Sequence, residues 1–79
     1  MITPDMVTNY IQRAIPDAKV SVTDRTGTMD HFNIRVVSDL FKGKNLLDRH
    51  RLIYHALDEP MKDGRIHALE IKAETTDGT

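Results

Sequence analysis

The sequence predicts an α+β domain in which helices cover one face of a three-stranded mixed sheet, in the order α-β-β-α-(short α)-β. Three observations carry this expectation. Apolar residues recur at helical spacing in two stretches, and they alternate with polar residues in three others. The second and third alternating stretches are separated by a helical crossover of the length that parallel pairing requires. With 79 residues the chain reads as a single domain over 1–79, with a core spanning about 4–73 and a polar tail, 74–79, expected to fray. A domain of this size buries only about 60% of its unfolded surface, which leaves room for one thin core and little for a deep, water-excluded pocket.

The first helix opens with strong local signals. Thr3 is a capping residue, Pro4 suits the first helical position, and Asp5 favours the positive end of the helix dipole. Met6, Val7, Tyr10, Ile11, Ala14 and Ile15 follow at helical spacing until Pro16 stops the run. Ala18, Val20 and Val22 alternate with Lys19, Ser21 and Thr23, as in a strand with one buried face. Asp24 to Asp30, with Gly27 inside, reads as a loop, and Phe32, Ile34 and Val36 then alternate with Asn33 and Arg35 to complete a hairpin.

Ser38 to Asn45 is a connection, and Asn45 caps the second helix. At 100° per residue Leu46, Leu47, Ile53, Tyr54 and Leu57 fall on one face, with His50 near its middle. Asp48, Arg49, Arg51, His55 and Glu59 occupy the rest of the circumference. Pro60 breaks this helix and opens a further short turn that Gly64 ends. Leu69, Ile71 and Ala73 alternate with Glu70 and Lys72 in the third strand, which places His67 on the side of Leu69.

The chain has no cysteine. Disulfides, thiolate nucleophiles, a self-contained zinc finger and an all-cysteine iron–sulfur site are therefore excluded. Met1 to Asp5 lacks the basic and apolar regions of a signal peptide, and no run approaches the roughly 20 apolar residues of a membrane span. The cytosol is the expected compartment, with a transit peptide removed upstream left open. Net charge is −1 but unevenly spread: residues 1–30 sum to −1, residues 31–55 to +3 and residues 56–79 to −3. No spacing pairs a nucleophile with a base, so a non-enzymatic role is expected.

Several motifs in order form a wider pattern. His31-Phe32 opens a strand, Val36-Val37-Ser38 closes it, Phe41-Lys42-Gly43-Lys44 follows, then Arg49-His50-Arg51-Leu52-Ile53-Tyr54, and Ile66-His67-Ala68-Leu69 leads into the last strand. Together these resemble the BolA family from about Pro4 to Ala73. The resemblance implies a fold like that of class II KH domains. It also implies partnership with monothiol glutaredoxins, with which BolA proteins form heterodimers bridged by a [2Fe–2S] cluster, and for some members roles in transcription and stress-related morphology.

The family's shared cluster ligand, the histidine of the Ile-His-Ala-Leu segment, carries over to His67. The family's second ligand, a histidine or cysteine in or after the first strand-to-strand loop, has no counterpart within Thr23 to Asp30; His31 stands nearest in position. Without thiolates this chain can hold such a cluster only at an interface with a partner that supplies sulfur. On the residues alone, His67 reads first as a half-buried histidine beside Leu69, hydrogen-bonded to backbone, and the family resemblance reverses that order. His50 is expected to be structural and His55 solvated.

Arg35, Lys42, Lys44, Arg49 and Arg51 are candidates for phosphate contacts, the basis of an alternative reading as a nucleic-acid-binding transcriptional regulator. Arg49 and Arg51 diverge by about 160° on an ideal helix, so only one joins the loop lysines. There is no Gly-x-x-Gly loop of the kind that clamps a nucleic-acid backbone, and only two Phe and two Tyr are available for stacking. DNA and a second copy of the chain are the other candidate partners, behind a monothiol glutaredoxin.

Overall fold

In a computed structural model, which describes residues 2–27 and 30–78, helix α1 spans Pro4–Ala14, strand β1 Lys19–Asp24, strand β2 His31–Val37, helix α2 Leu46–Ala56, helix α3 Asp58–Lys62 and strand β3 Ala68–Glu74. The sheet order is β1-β2-β3. β1 and β2 are antiparallel, with Val20 opposite Val36 and Val22 opposite Ile34. β2 and β3 are parallel, with His31 opposite Ala68 and Ile34 opposite Ile71. The predicted α+β class and mixed sheet are thus observed, and α1 packs on β1 and α2 while α2 reaches β3.

Each element forms for a local reason. The Thr3 hydroxyl accepts from the Met6 amide at 3.2 Å, satisfying one of the helix's orphan donors. Val7 and Ile11, one helical turn apart, are fully buried and continue into buried Ile15, while Met6 and Ala14 lie outside that stripe. Phe32, Ile34 and Val36 face the helices and are buried, and the intervening Asn33 and Arg35 face outward. The outer sheet face is polar, carrying Ser21, Thr23, Asn33, Arg35, Glu70 and Lys72. Among the described residues no helix is long and apolar enough to cross a membrane.

The second helix departs from its expected polarity. Leu46, Leu47 and Tyr54 are 64%, 58% and 42% exposed. Ile53 and Leu57 are buried as expected, and the third member of the buried stripe is Arg49, the three standing four residues apart. Arg49 Nε donates to the Lys44 carbonyl at 2.9 Å and Nη1 to the Ala73 carbonyl at 3.1 Å, and its guanidinium carbon lies 5.9 Å from the centre of the Phe41 ring. These carbonyls at the α2–β3 junction need donors once water is gone, and an arginine fork supplies them while its stem packs. His50, expected near the middle of the apolar face, is half-buried at its edge.

Three further details refine the expectation. The connection after β2 contains a 3-10 turn, Asp39–Phe41, which delivers Phe41 into the core. Helix α2 stops at Ala56, four residues before Pro60, because a proline ring collides with the carbonyl four residues back. Pro60 then lies in the first turn of α3, where a missing N–H costs little, and Gly64 adopts φ +83° after that helix. Within the tail expected to fray, Thr75 is buried and bonded to Asp77, and the Thr76 hydroxyl donates to Asp39 Oδ1 at 2.6 Å.

Candidate metal-ligand pair

Parallel pairing brings the starts of β2 and β3 to the same end of the sheet. His31 begins β2 opposite Ala68, the first residue of β3, and His67 immediately precedes it. Two histidines far apart in sequence therefore become neighbours, their ring centres 6.0 Å apart and their planes nearly perpendicular at 84°. The His67 side chain is 59% exposed and that of His31 39%. His67 is therefore neither half-buried nor dependent on a backbone partner, the alternative left open by the residues alone.

The main chain beneath the pair is firmly held. The Asp30 carbonyl accepts from the amides of His67 at 2.8 Å and Ala68 at 3.3 Å, and the His31 carbonyl accepts from the Arg25 amide at 2.8 Å. Asp30, which sequence reasoning treated only as the end of a loop, also places its carboxylate between the two rings. Its Oδ1 lies 2.8 Å from His31 Nδ1 and its Oδ2 3.3 Å from His67 Nδ1. The available signal was the Asp-His step at a strand start, which acquires meaning only once β3 is known to be parallel to β2.

Chemically, the arrangement offers two accessible imidazoles on a fixed strand end, each a potential metal ligand through a neutral ring nitrogen. Among the described residues no three His, Cys, Asp or Glu side chains converge as a self-sufficient metal site. The donor set fits half of a shared iron–sulfur site: two nitrogens from this chain, with sulfur necessarily from elsewhere because the chain has no cysteine. Within the loop that holds the family's second ligand, residues 28 and 29 lie outside the described residues. His50 and His55 sit on α2, half-buried and exposed respectively.

The five candidate phosphate contacts do not gather on one surface. Arg49 is 7% exposed and spends its donors on backbone carbonyls, which removes it from the set. Arg35 projects from the polar face of the sheet, where its Nε donates to Glu74 Oε1 at 2.8 Å. That contact holds the Glu74 carboxyl below its usual range. Lys44 and Arg51 border a shallow depression with Asp48, Leu52 and His55, and Arg51 lies 3.8 Å from Asp48. Lys42, just past the 3-10 turn, lies 3.8 Å from Asp39.

Comparison with known proteins agrees with this architecture. A family model for BolA-like proteins matches residues 11–78. The chain is 39% identical over 77 residues to Protein BOLA2 of Arabidopsis thaliana, covering 96% of this chain and 81% of that protein. It is 58% identical over 45 residues to the chloroplastic/mitochondrial SufE-like protein 1 of the same plant, a stretch covering 57% of this chain but only 12% of that longer protein. The solved structure of BolA1 from Arabidopsis thaliana superposes with a TM-score of 0.86 at 30% identity, covering 100% of this chain and 99% of that one.

Proposed function

Because the chain belongs to the BolA-like family, we propose that it is a non-enzymatic adaptor that docks a monothiol glutaredoxin and completes a [2Fe–2S] site across their interface, in iron–sulfur cluster handling or iron-dependent regulation. The observation that supports this reading is the pairing of His31 and His67 on one exposed strand end, 6.0 Å apart. A lone surface histidine carries little weight, whereas two presented together on a rigid backbone make a ligand set for a shared metal site. When bound, such a cluster supplies electron-transfer or sulfur-carrier chemistry, and nitrogen ligation raises its potential relative to thiolate ligation. This chain's part is to present two nitrogens and a complementary surface. A reducing compartment such as the cytosol suits the reading, because the partner's thiols must stay reduced.

Anaerobic reconstitution of the full chain with a monothiol glutaredoxin tests the proposal, read by particle size and visible spectrum. The expected result is a heterodimer whose charge-transfer bands differ from those of the glutaredoxin alone and lose that difference in His67→Ala. A His67→Ala spectrum identical to that of the wild-type complex would overturn the assignment. The nucleic-acid reading draws on Lys42, Lys44 and Arg51 alone, since Arg49 is buried and Arg35 lies on the outer sheet face.

A further inference from the structure

The histidine pair raises a question about its two nitrogens. Each imidazole has two, and only the one without hydrogen can ligate a metal. In a mobile surface histidine the hydrogen moves between them, and a metal must select the right form. Here both Nδ1 atoms face the same carboxylate, at 2.8 Å for His31 and 3.3 Å for His67.

A carboxylate at neutral pH accepts hydrogen bonds and has none to give. The His31 Nδ1, hydrogen-bonded to it, is therefore the protonated nitrogen, and the same negative charge disfavours a lone pair on the His67 Nδ1, which leaves the lone pair of each neutral ring at Nε2. We infer that Asp30 is a positioning residue for the pair: its single carboxylate holds His31 and His67 together as Nδ1–H tautomers and reserves both Nε2 lone pairs for a metal. The same device, a carboxylate behind a ligating histidine, orients the ring and strengthens the nitrogen as a donor in many metal sites.

Asp30 is well placed for this because its own backbone is pinned. Its carbonyl accepts from two successive amides of the β3 strand start, those of His67 and Ala68. The carboxylate is only 27% exposed, which limits competition from water. The His31 contact is an aligned hydrogen bond, whereas the 3.3 Å approach to His67 is a close charge contact without hydrogen-bond alignment, so His67 is the ring held less tightly. Its larger exposure agrees with that order.

The metal role rests on the proposed function, but the tautomers belong to the metal-free chain and are measured there. The full-length, 15N-labelled chain is examined by long-range proton–nitrogen NMR at a pH where both rings are neutral. The expected spectrum has Nδ1 of both histidines in the protonated range and Nε2 of both in the unprotonated range. Asp30→Asn offers one acceptor oxygen and an amide donor, so His31 is expected to keep its form and His67 to invert. Asp30→Ala is expected to return both rings toward the Nε2–H form that a free side chain prefers.

A wild-type ring found as Nε2–H overturns the inference, and this arm needs no variant to fold. Identical tautomers in wild type and folded Asp30→Ala overturn it as well. In the reconstituted complex, chelator competition is expected to show roughly 10–100-fold weaker metal retention for Asp30→Ala, the usual range for losing a carboxylate behind a ligating histidine; unchanged retention overturns the positioning role. Two Nδ1–H rings in a wild-type chain that builds no cluster support Asp30's hold on the tautomers and overturn the proposed function instead.

Discussion

Arg49 Nη1 donates to the carbonyl of Ala73 at 3.1 Å, so a buried cation on α2 ties that helix to the third strand. The same side chain holds the Lys44 carbonyl through Nε at 2.9 Å. It acts as a clamp at the point where the chain enters α2 and β3 passes beneath.

Removing that clamp is expected to be costly. Arg49→Ala strips donors from buried carbonyls and opens space against Phe41, and the expected loss is about 3 kcal/mol. Arg49→Met keeps the stem but not the donors and should fall between the two. Lysine replaces the fork with a point charge that cannot serve both carbonyls, so Arg49→Lys should also lose stability. Urea denaturation reads all three. An Arg49→Ala unfolding free energy within about 0.5 kcal/mol of wild type would show that the contacts are idle.

The rotated apolar face of α2, which keeps Ile53 and Leu57 inside but leaves Leu46, Leu47 and Tyr54 outside, makes a paired prediction. Leu47→Glu, at a 58% exposed position, is expected to change stability by less than about 0.5 kcal/mol, whereas Ile53→Ala at a fully buried one should cost about 2–5 kcal/mol. Thermal or chemical melts of the two variants compare them directly. The outcome to watch for is a Leu47→Glu variant as unstable as Ile53→Ala, which would mean the apolar face computed from sequence is the real one.

This pair also marks where sequence reasoning reached and where it stopped. The strands were readable because Val20, Val22, Phe32, Ile34 and Val36 alternate with polar neighbours, and a period of two has only one amphipathic solution. α1 was readable because Thr3, Pro4 and Pro16 punctuate it. α2 was readable in part: its Asn45 cap and buried Ile53 and Leu57 follow from the sequence, but its buried face is anchored by a residue that any hydropathy scale counts as polar. Arg49 is inside because of two carbonyls, Lys44 and Ala73, that lie near it only after folding. The candidate site divides in the same way. His67 was found through the family pattern and His31 by position, but Asp30 needed the parallel register to join them.

Acid should weaken the fold through two specific contacts. The Glu74 carboxyl is lowered from its usual 4.5 chiefly by the hydrogen bond from Arg35, and the Asp39 carboxyl from 3.8 chiefly by the hydroxyl of Thr76. A carboxyl with a depressed folded-state pKa contributes stability that is complete above its unfolded value and fades as pH falls through the folded one. Melting temperature should therefore hold from neutral pH to the mid-4 range and decline below it. Arg35→Gln should flatten the part of that decline due to Glu74, and Thr76→Val the part due to Asp39. Asp39 is exposed and Glu74 is half-buried with an exposed partner in Arg35, so the effects are small and shrink with salt. Identical acid limbs in wild type and both variants would remove these contacts as the cause.

Salt dependence separates the two readings of the basic residues. Each phosphate neutralised on duplex DNA contributes about −0.9 to the slope of log affinity against log salt. Lys42, Lys44 and Arg51 are the candidate cations that remain after Arg49 is buried and Arg35 is placed on the outer sheet face. Three contacts give a slope no steeper than about −3, and two of the three already lie 3.8 Å from acidic neighbours, Asp39 and Asp48. Binding to duplex DNA is therefore expected to be weak and to vanish near physiological salt, with Lys44→Gln reducing the slope by about 0.9. Fluorescence anisotropy with a labelled duplex across a salt series measures it. A slope steeper than about −4, well beyond what three cations supply, would require a basic surface that these side chains do not form and would return nucleic acid to the front.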